Sequence, residues 1–307
     1  MTDPRAQLHG LWLPLITPFS DGALDEPSLR KLVRHYAAQP IDGFVLGATS
    51  GEGLALSWDE RLRLVSAVRT ELEAVGRPLP ICLGLAGAAT SDLIDALERT
   101  ASWPIDLYLI SSPPYVRPSQ RGLLAHFLAL ADRAAHPIVL YNIPYRSAVG
   151  LDNETLLQLA EHPAIVGLKD CCANRMQTRD LITRRPPGFR ILTGEDAQSF
   201  DALQAGADGA ILLSAHVETE TFASILQHVK AGRHDAAAAC WAQVEDLTRL
   251  LFTEPSPAPA KYWLARTGVI ASAQVRLPMV EVSTELAARL DQEIERRVQR
   301  EVQPRVA

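Results

Sequence analysis

The chain has 307 residues, 47% apolar and 21% charged, with a net charge of −6. That balance fits one large globular domain or two ordinary ones. Its four lysines and 26 arginines are scattered, without the basic stripe that nucleic acid or an acidic membrane surface requires. No run approaches the ~18 apolar residues of a membrane span. The first ten residues carry no signal-peptide pattern, so a cytoplasmic protein is expected.

In chain order, short apolar runs alternate with amphipathic stretches. Strands are predicted at 12–19, 43–48, 81–85, 107–111, 138–142, 166–169, 191–194 and 210–214. Helical spacing occupies 26–38, 57–75, 120–135 and 153–161, with Ser57 and Asp152 as N-caps. Most of these strands are apolar throughout, as in a sheet covered on both faces. Eight strands alternating with helices point to a (β/α)8 TIM barrel over residues 1–231. A doubly wound open sheet is the other arrangement, but no Gly-x-Gly-x-x-Gly loop follows the first strand. Residues 214–230 read as the last barrel helix. Residues 232–307 read as a C-terminal helical extension, with helices at 235–252, 258–267 and 283–302.

A barrel of this kind carries its active site at the C-terminal ends of its strands. Those ends here hold Thr49 and Ser50, Tyr115, Tyr141 and Arg146, Lys169, and Gly194. Lys169 closes the apolar run Ile165-Val166-Gly167-Leu168. A desolvated lysine sheds its proton more easily and becomes an amine nucleophile, as a Schiff-base enzyme needs. A lysine that snorkels from a strand end gives the same local pattern. Cys82, Cys171, Cys172 and Cys240 lack paired metal spacing. The adjacent Cys171 and Cys172 read as small, buried, reduced side chains rather than nucleophiles. No metal cluster or Ser-His-Asp arrangement is evident, and Leu213-Ser214-Ala215-His216 makes a poor phosphate cradle. The set favours amine chemistry on a carbonyl acid.

The chain resembles the dihydrodipicolinate synthase and N-acetylneuraminate lyase family of class I aldolases over nearly its whole length. The likeness is carried by Gly47-Ala48-Thr49-Ser50-Gly51-Glu52, Pro113-Pro114-Tyr115-Val116-Arg117-Pro118-Ser119, Tyr141-Asn142-Ile143-Pro144, Gly167-Leu168-Lys169-Asp170, Gly194-Glu195-Asp196 and Leu277-Pro278. The resemblance implies that Lys169 forms an imine with pyruvate and that Tyr141 moves protons over it. It implies that Thr49 links Tyr141 to Tyr115 of a neighbouring subunit in a homotetramer built from tight dimers. The backbone at Thr49 and Ser50 would receive the pyruvate carboxylate, and Gly194 and Ile211 would add backbone groups. No cofactor is implied.

Within that family, an arginine at the position of Arg146 implies the synthase. This enzyme joins pyruvate to aspartate semialdehyde, giving 4-hydroxy-tetrahydrodipicolinate on the route to lysine and diaminopimelate. The alternatives are a lyase or dehydratase for N-acetylneuraminate or 2-keto-3-deoxy sugar acids, or a non-catalytic keto-acid sensor. The sequence departs from the family's usual glycine at Ala48, serine at Tyr145 and glycine at Ala148. At the positions where resembling synthases bind inhibitory lysine, it has Trp58, Arg61, Ala88, Asp92 and Pro114. Insensitivity to lysine is therefore expected.

Overall fold

The computed structural model describes residues 8–302; residues 1–7, most of the segment read for a signal-peptide pattern, and residues 303–307 of the extension lie outside them. Among the described residues there are ten strands. Eight of them, β1 (Gly10–Pro14), β4 (Gly43–Leu46), β5 (Ile81–Leu85), β6 (Leu107–Ser111), β7 (Ile138–Asn142), β8 (Ile165–Asp170), β9 (Arg190–Thr193) and β10 (Gly209–Ile211), close an all-parallel barrel. The other two, β2 (Phe19–Ser20) and β3 (Ala23–Leu24), form a small antiparallel hairpin. The expected (β/α)8 barrel is thus the observed fold, and no helix among the described residues is long and apolar enough to cross a membrane.

Alternation along the strands builds two apolar layers. Leu109 and Val139 join Trp12, Val45 and Leu192 inside the barrel. Tyr108, Ile110, Ile138 and Leu140 face the surrounding helices. In β8 the alternation breaks. Ile138 lies opposite Ile165, but Val139 lies opposite Gly167, so Val166 is an extra residue, a β-bulge. Val166 belongs to the interior layer and Leu168 to the outer one. The bulge therefore turns Lys169 inward, level with Tyr141.

Several boundaries differ from those expected. The first strand stops at Pro14, and Phe19 opens the hairpin instead. Pro14 and Pro18 have no N–H to continue a ladder. The second strand stops at Leu46 because Gly47 turns the chain with φ +62. The last expected strand and helix are separated by a 3-10 turn, Ser214–His216, before the helix Thr219–Lys230 begins. Helices Thr90–Thr100, Arg175–Arg184 and Ser199–Gln204 were not among those expected. Both expected caps are present. Ser57 and Glu60 form a reciprocal capping box, and Asp152 accepts the Thr155 N–H at 2.7 Å.

The tail supplies helices His234–Leu250, Ala258–Arg266 and Thr284–Val302. Trp241 stacks on Phe200 and meets Phe222 edge-on, fixing the first of these to the barrel. Leu247, Leu251, Trp263, Leu286 and Leu290 form a separate core for the tail. The segment around Arg276 to Met279 returns across the mouth of the barrel.

Candidate active site

The inward turn of β8 places the Lys169 ammonium 4.4 Å from the centroid of the Tyr141 ring. Lys169 is 4% exposed and Tyr141 6%. Desolvation is the chief influence on both. It lowers the pKa of Lys169, against the pull of Cys171 and Asp196, and Arg146 lowers it further. It raises the phenol of Tyr141 well above its ordinary value, while a hydrogen bond with Thr49 and the charge of Arg146 oppose the rise. Gly194 makes room for the lysine stem: a Cβ there would lie 2.7 Å from Lys169 Cγ and from the sulfur of Cys171. Ile211 is buried in the same interior cluster. Asp196 is also buried, and its Oδ1 accepts the Ser214 N–H at 2.7 Å.

Thr49 stands on the turn that follows β4. Gly53 N–H donates to Ala48 O at 3.1 Å, Glu52 N–H to Thr49 O at 3.1 Å, and Thr17 Oγ1 to Gly51 O at 2.7 Å. Ala48 fits because the neighbouring strand offers Gly84; a Cβ on Gly84 would stand 2.7 Å from Ala48 N and Cα. Thr49 lines a cleft of about 450 Å³ above the barrel, together with Tyr141 and Arg146. Ser50 is buried and does not share that lining.

Arg146 projects from the single helical turn Pro144–Ser147, its guanidinium 5.4 Å from the centre of the exposed Tyr145 ring. Ala148, where resembling sequences have glycine, ends this turn at φ +61. For a residue with a Cβ, the left-handed conformation costs about 1–2 kcal/mol. Tyr115, expected from a neighbouring subunit, stands apart from the cluster within the chain. At φ +73 its side chain is 93% exposed, and the chain does not bring it to its own Thr49. Only its neighbour Pro114 reaches the cleft.

The cysteines are not poised as nucleophiles. Burial pushes the Cys171 thiol up to about 12 and raises that of Cys82 as well. Cys172 is half-buried rather than buried, its thiol donating to Gln177 Oε1 at 3.4 Å.

Three contributors lay outside the sequence-based set. Glu52, Lys261 and Arg276 meet beneath the Thr49 turn, and Arg276 lines the cleft with Ser256 and Pro278. The available signal was Lys261 itself, a scarce lysine in an apolar helix.

The sequence profile of the dihydrodipicolinate synthetase family matches residues 7–297. A 4-hydroxy-tetrahydrodipicolinate synthase of Clostridium acetobutylicum is 40% identical over 285 residues, covering 93% of this chain and 99% of its own. Among solved structures, a monomeric dihydrodipicolinate synthase variant superposes with a TM-score of 0.91 at 25% identity, covering 96% of this chain and 98% of its own. The chloride-inhibited synthase of Acinetobacter baumannii complexed with pyruvate gives 0.89 at 28% identity, covering 94% and 98%. With a desolvated lysine, a buried tyrosine and an arginine at the same barrel mouth, this chain belongs to the dihydrodipicolinate synthetase family.

Proposed function

We propose that the protein is a Schiff-base aldolase that condenses pyruvate with aspartate semialdehyde to 4-hydroxy-tetrahydrodipicolinate. The observation that carries this reading is the Lys169 amine, buried against Tyr141 and without an ion-pair partner among the described residues. The neutral amine attacks the pyruvate carbonyl, water leaves, and an imine forms. The imine draws electrons from the adjacent methyl group, which gives up a proton and becomes an enamine nucleophile. The enamine attacks the aldehyde carbon. The amino group of the second substrate then displaces Lys169 and closes the ring.

Each proton transfer needs a donor or acceptor within reach. Tyr141, hydrogen-bonded to Thr49, serves that role. Tyr115 of a second subunit extends the relay to solvent. Its exposure supports this reading, as does the exposure of Leu54 and Leu277 beside the cleft, an apolar rim suited to a second copy. In this reading the enzyme works in the cytoplasm as a homotetramer of tight dimers. Arg146 takes the carboxylate of aspartate semialdehyde through paired hydrogen bonds. The Thr49 and Ser50 backbone takes that of pyruvate, and Gly194 and Ile211 add backbone groups.

Lysine is not expected to regulate this enzyme. Where an effector amino acid would lie, the guanidiniums of Arg61 and Arg99 each lie 5.0 Å from the centre of the Trp58 ring. Arg61 is further committed to the carbonyl of Gly53.

The test is borohydride trapping with pyruvate, followed by peptide mass mapping. A reduced pyruvyl group on Lys169 alone is expected. Label on Lys31, Lys230 or Lys261 instead, or no label, excludes the aldolase chemistry. A coupled assay with aspartate semialdehyde, run beside N-acetylneuraminate and 2-keto-3-deoxy sugar acids, then fixes the partner.

A further inference from the structure

Three charged side chains from distant parts of the chain meet beneath the turn that carries Thr49. Lys261 is fully buried in the helix Ala258–Arg266. Its ammonium donates to Oε1 of Glu52 and, at 2.8 Å, to the carbonyl of Gln274. It also lies 4.2 Å from the centre of the Phe19 ring. The other oxygen of Glu52, Oε2, accepts the backbone N–H of Arg276 at 2.9 Å. The Arg276 guanidinium donates at 2.8 Å to the carbonyl of Ala55, at 2.8 Å to Glu60 Oε2 and at 2.7 Å to the carbonyl of Gly22. It sits 4.3 Å from the same Phe19 ring.

Glu52 has left-handed backbone at φ +50, a conformation that a residue with a Cβ keeps only when its surroundings hold it there. Its own N–H closes the turn onto Thr49 O at 3.1 Å. Each carboxylate oxygen therefore has a tail group fixing it, and its backbone fixes the residue that orients Tyr141. Removing one member of a buried ionic network of this kind leaves the others uncompensated and is strongly destabilising.

We propose that Glu52, clamped by Lys261 and Arg276, is a positioning residue for catalysis: it holds the turn so that the Thr49 hydroxyl stays on the Tyr141 phenol. This role presupposes the imine chemistry proposed above. The alternative is that the network stabilises the fold and leaves the relay indifferent to it.

A double-mutant cycle on the full-length protein separates the two. Glu52→Asp keeps the charge but is one methylene short of reaching both partners without moving the turn. It is expected to lower kcat about tenfold, with KM for pyruvate changed by less than about twofold. In a Thr49→Val background, the same change is expected to alter kcat by less than about twofold, because the hydroxyl it serves is gone. Losses that multiply, or a Glu52→Asp enzyme with unchanged kcat, overturn the role. If Glu52→Asp does not fold, the pair Glu52→Gln with Lys261→Met removes both charges together and enters the same cycle. Trapping of the unmodified protein runs alongside. Absence of a Lys169 adduct there defeats the aldolase reading, whereas an adduct with multiplying losses defeats only the positioning role.

Discussion

Two buried lysines, Lys169 and Lys261, differ in what holds the amine. Desolvation lowers the pKa of both, that of Lys261 to about 8. Their partners differ. Lys261 is held by a carboxylate and a carbonyl. Lys169 faces the Tyr141 ring, and Asp196 acts on it only through space, having its own bond to Ser214. Burial is common to the two; direct neutralisation is not. An amine held by a carboxylate stays an ammonium and stays in place, whereas one held only by a ring can lose its proton and swing to a carbonyl.

The largest effect that tests this contrast is on turnover. Lys169→Ala is expected to abolish trapping and to lower kcat by on the order of 10³-fold or more. Lys261→Met should still take its adduct on Lys169. Adduct on any other lysine would erase the distinction. The next effect is on stability. Lys261→Met leaves Glu52 buried without its counter-charge, a loss of about 3–5 kcal/mol in denaturant unfolding. Lys169→Met removes a desolvated amine that has no ion-pair partner, so its thermal midpoint should not fall. A drop equal to that of Lys261→Met would show that Lys169 is structurally paired after all.

Arg146→Ala comes third. Losing a bidentate carboxylate contact should cost about 2–4 kcal/mol in kcat/KM for aspartate semialdehyde, with trapping by pyruvate alone preserved. Unchanged kcat/KM would place Arg146 away from the aldehyde and strengthen the sugar-acid alternative. A smaller effect is on pH dependence. The Lys169 pKa is depressed from the ordinary lysine value of 10.5, so its neutral fraction grows earlier as pH rises. The rate of imine formation should climb with pH and level off below 10.5; a rise that persists to that value would mean the amine is not desolvated. The smallest effect is no effect. Millimolar lysine should not inhibit, and a midpoint on the order of 0.1 mM, about −5.5 kcal/mol of binding, would show that the Trp58 and Arg61 positions do bind it.

The sequence made the barrel readable because all-parallel strands buried on both faces are continuous apolar runs, and Ser57 and Asp152 announce the helices they cap. The hairpin at Phe19 was hidden because the run from Trp12 to Phe19, apolar apart from Thr17, reads as one strand although Pro14 and Pro18 interrupt it. The direction of Lys169 was also hidden. Counting from Val166 by twos would have sent it outward, and only the register slip against Val139 reverses that. Tyr115 was chosen from motif order and assigned to a neighbouring subunit by resemblance; within one chain it lies in solvent. The clamp on Glu52 joins residues 209 positions apart and has no local signature.

The return of the tail over the barrel mouth sets a schedule for when the protein can work. Every strand of the barrel, with Lys169 and Tyr141 in place, leaves the ribosome before Lys261 and Arg276 do. A nascent or prematurely terminated chain therefore holds the amine and the tyrosine but not the fastening beneath Thr49. On the positioning role proposed above, such a chain is expected to lack the restraint on Thr49 even where Lys169 and Tyr141 are in place, so that activity would require translation past Arg276.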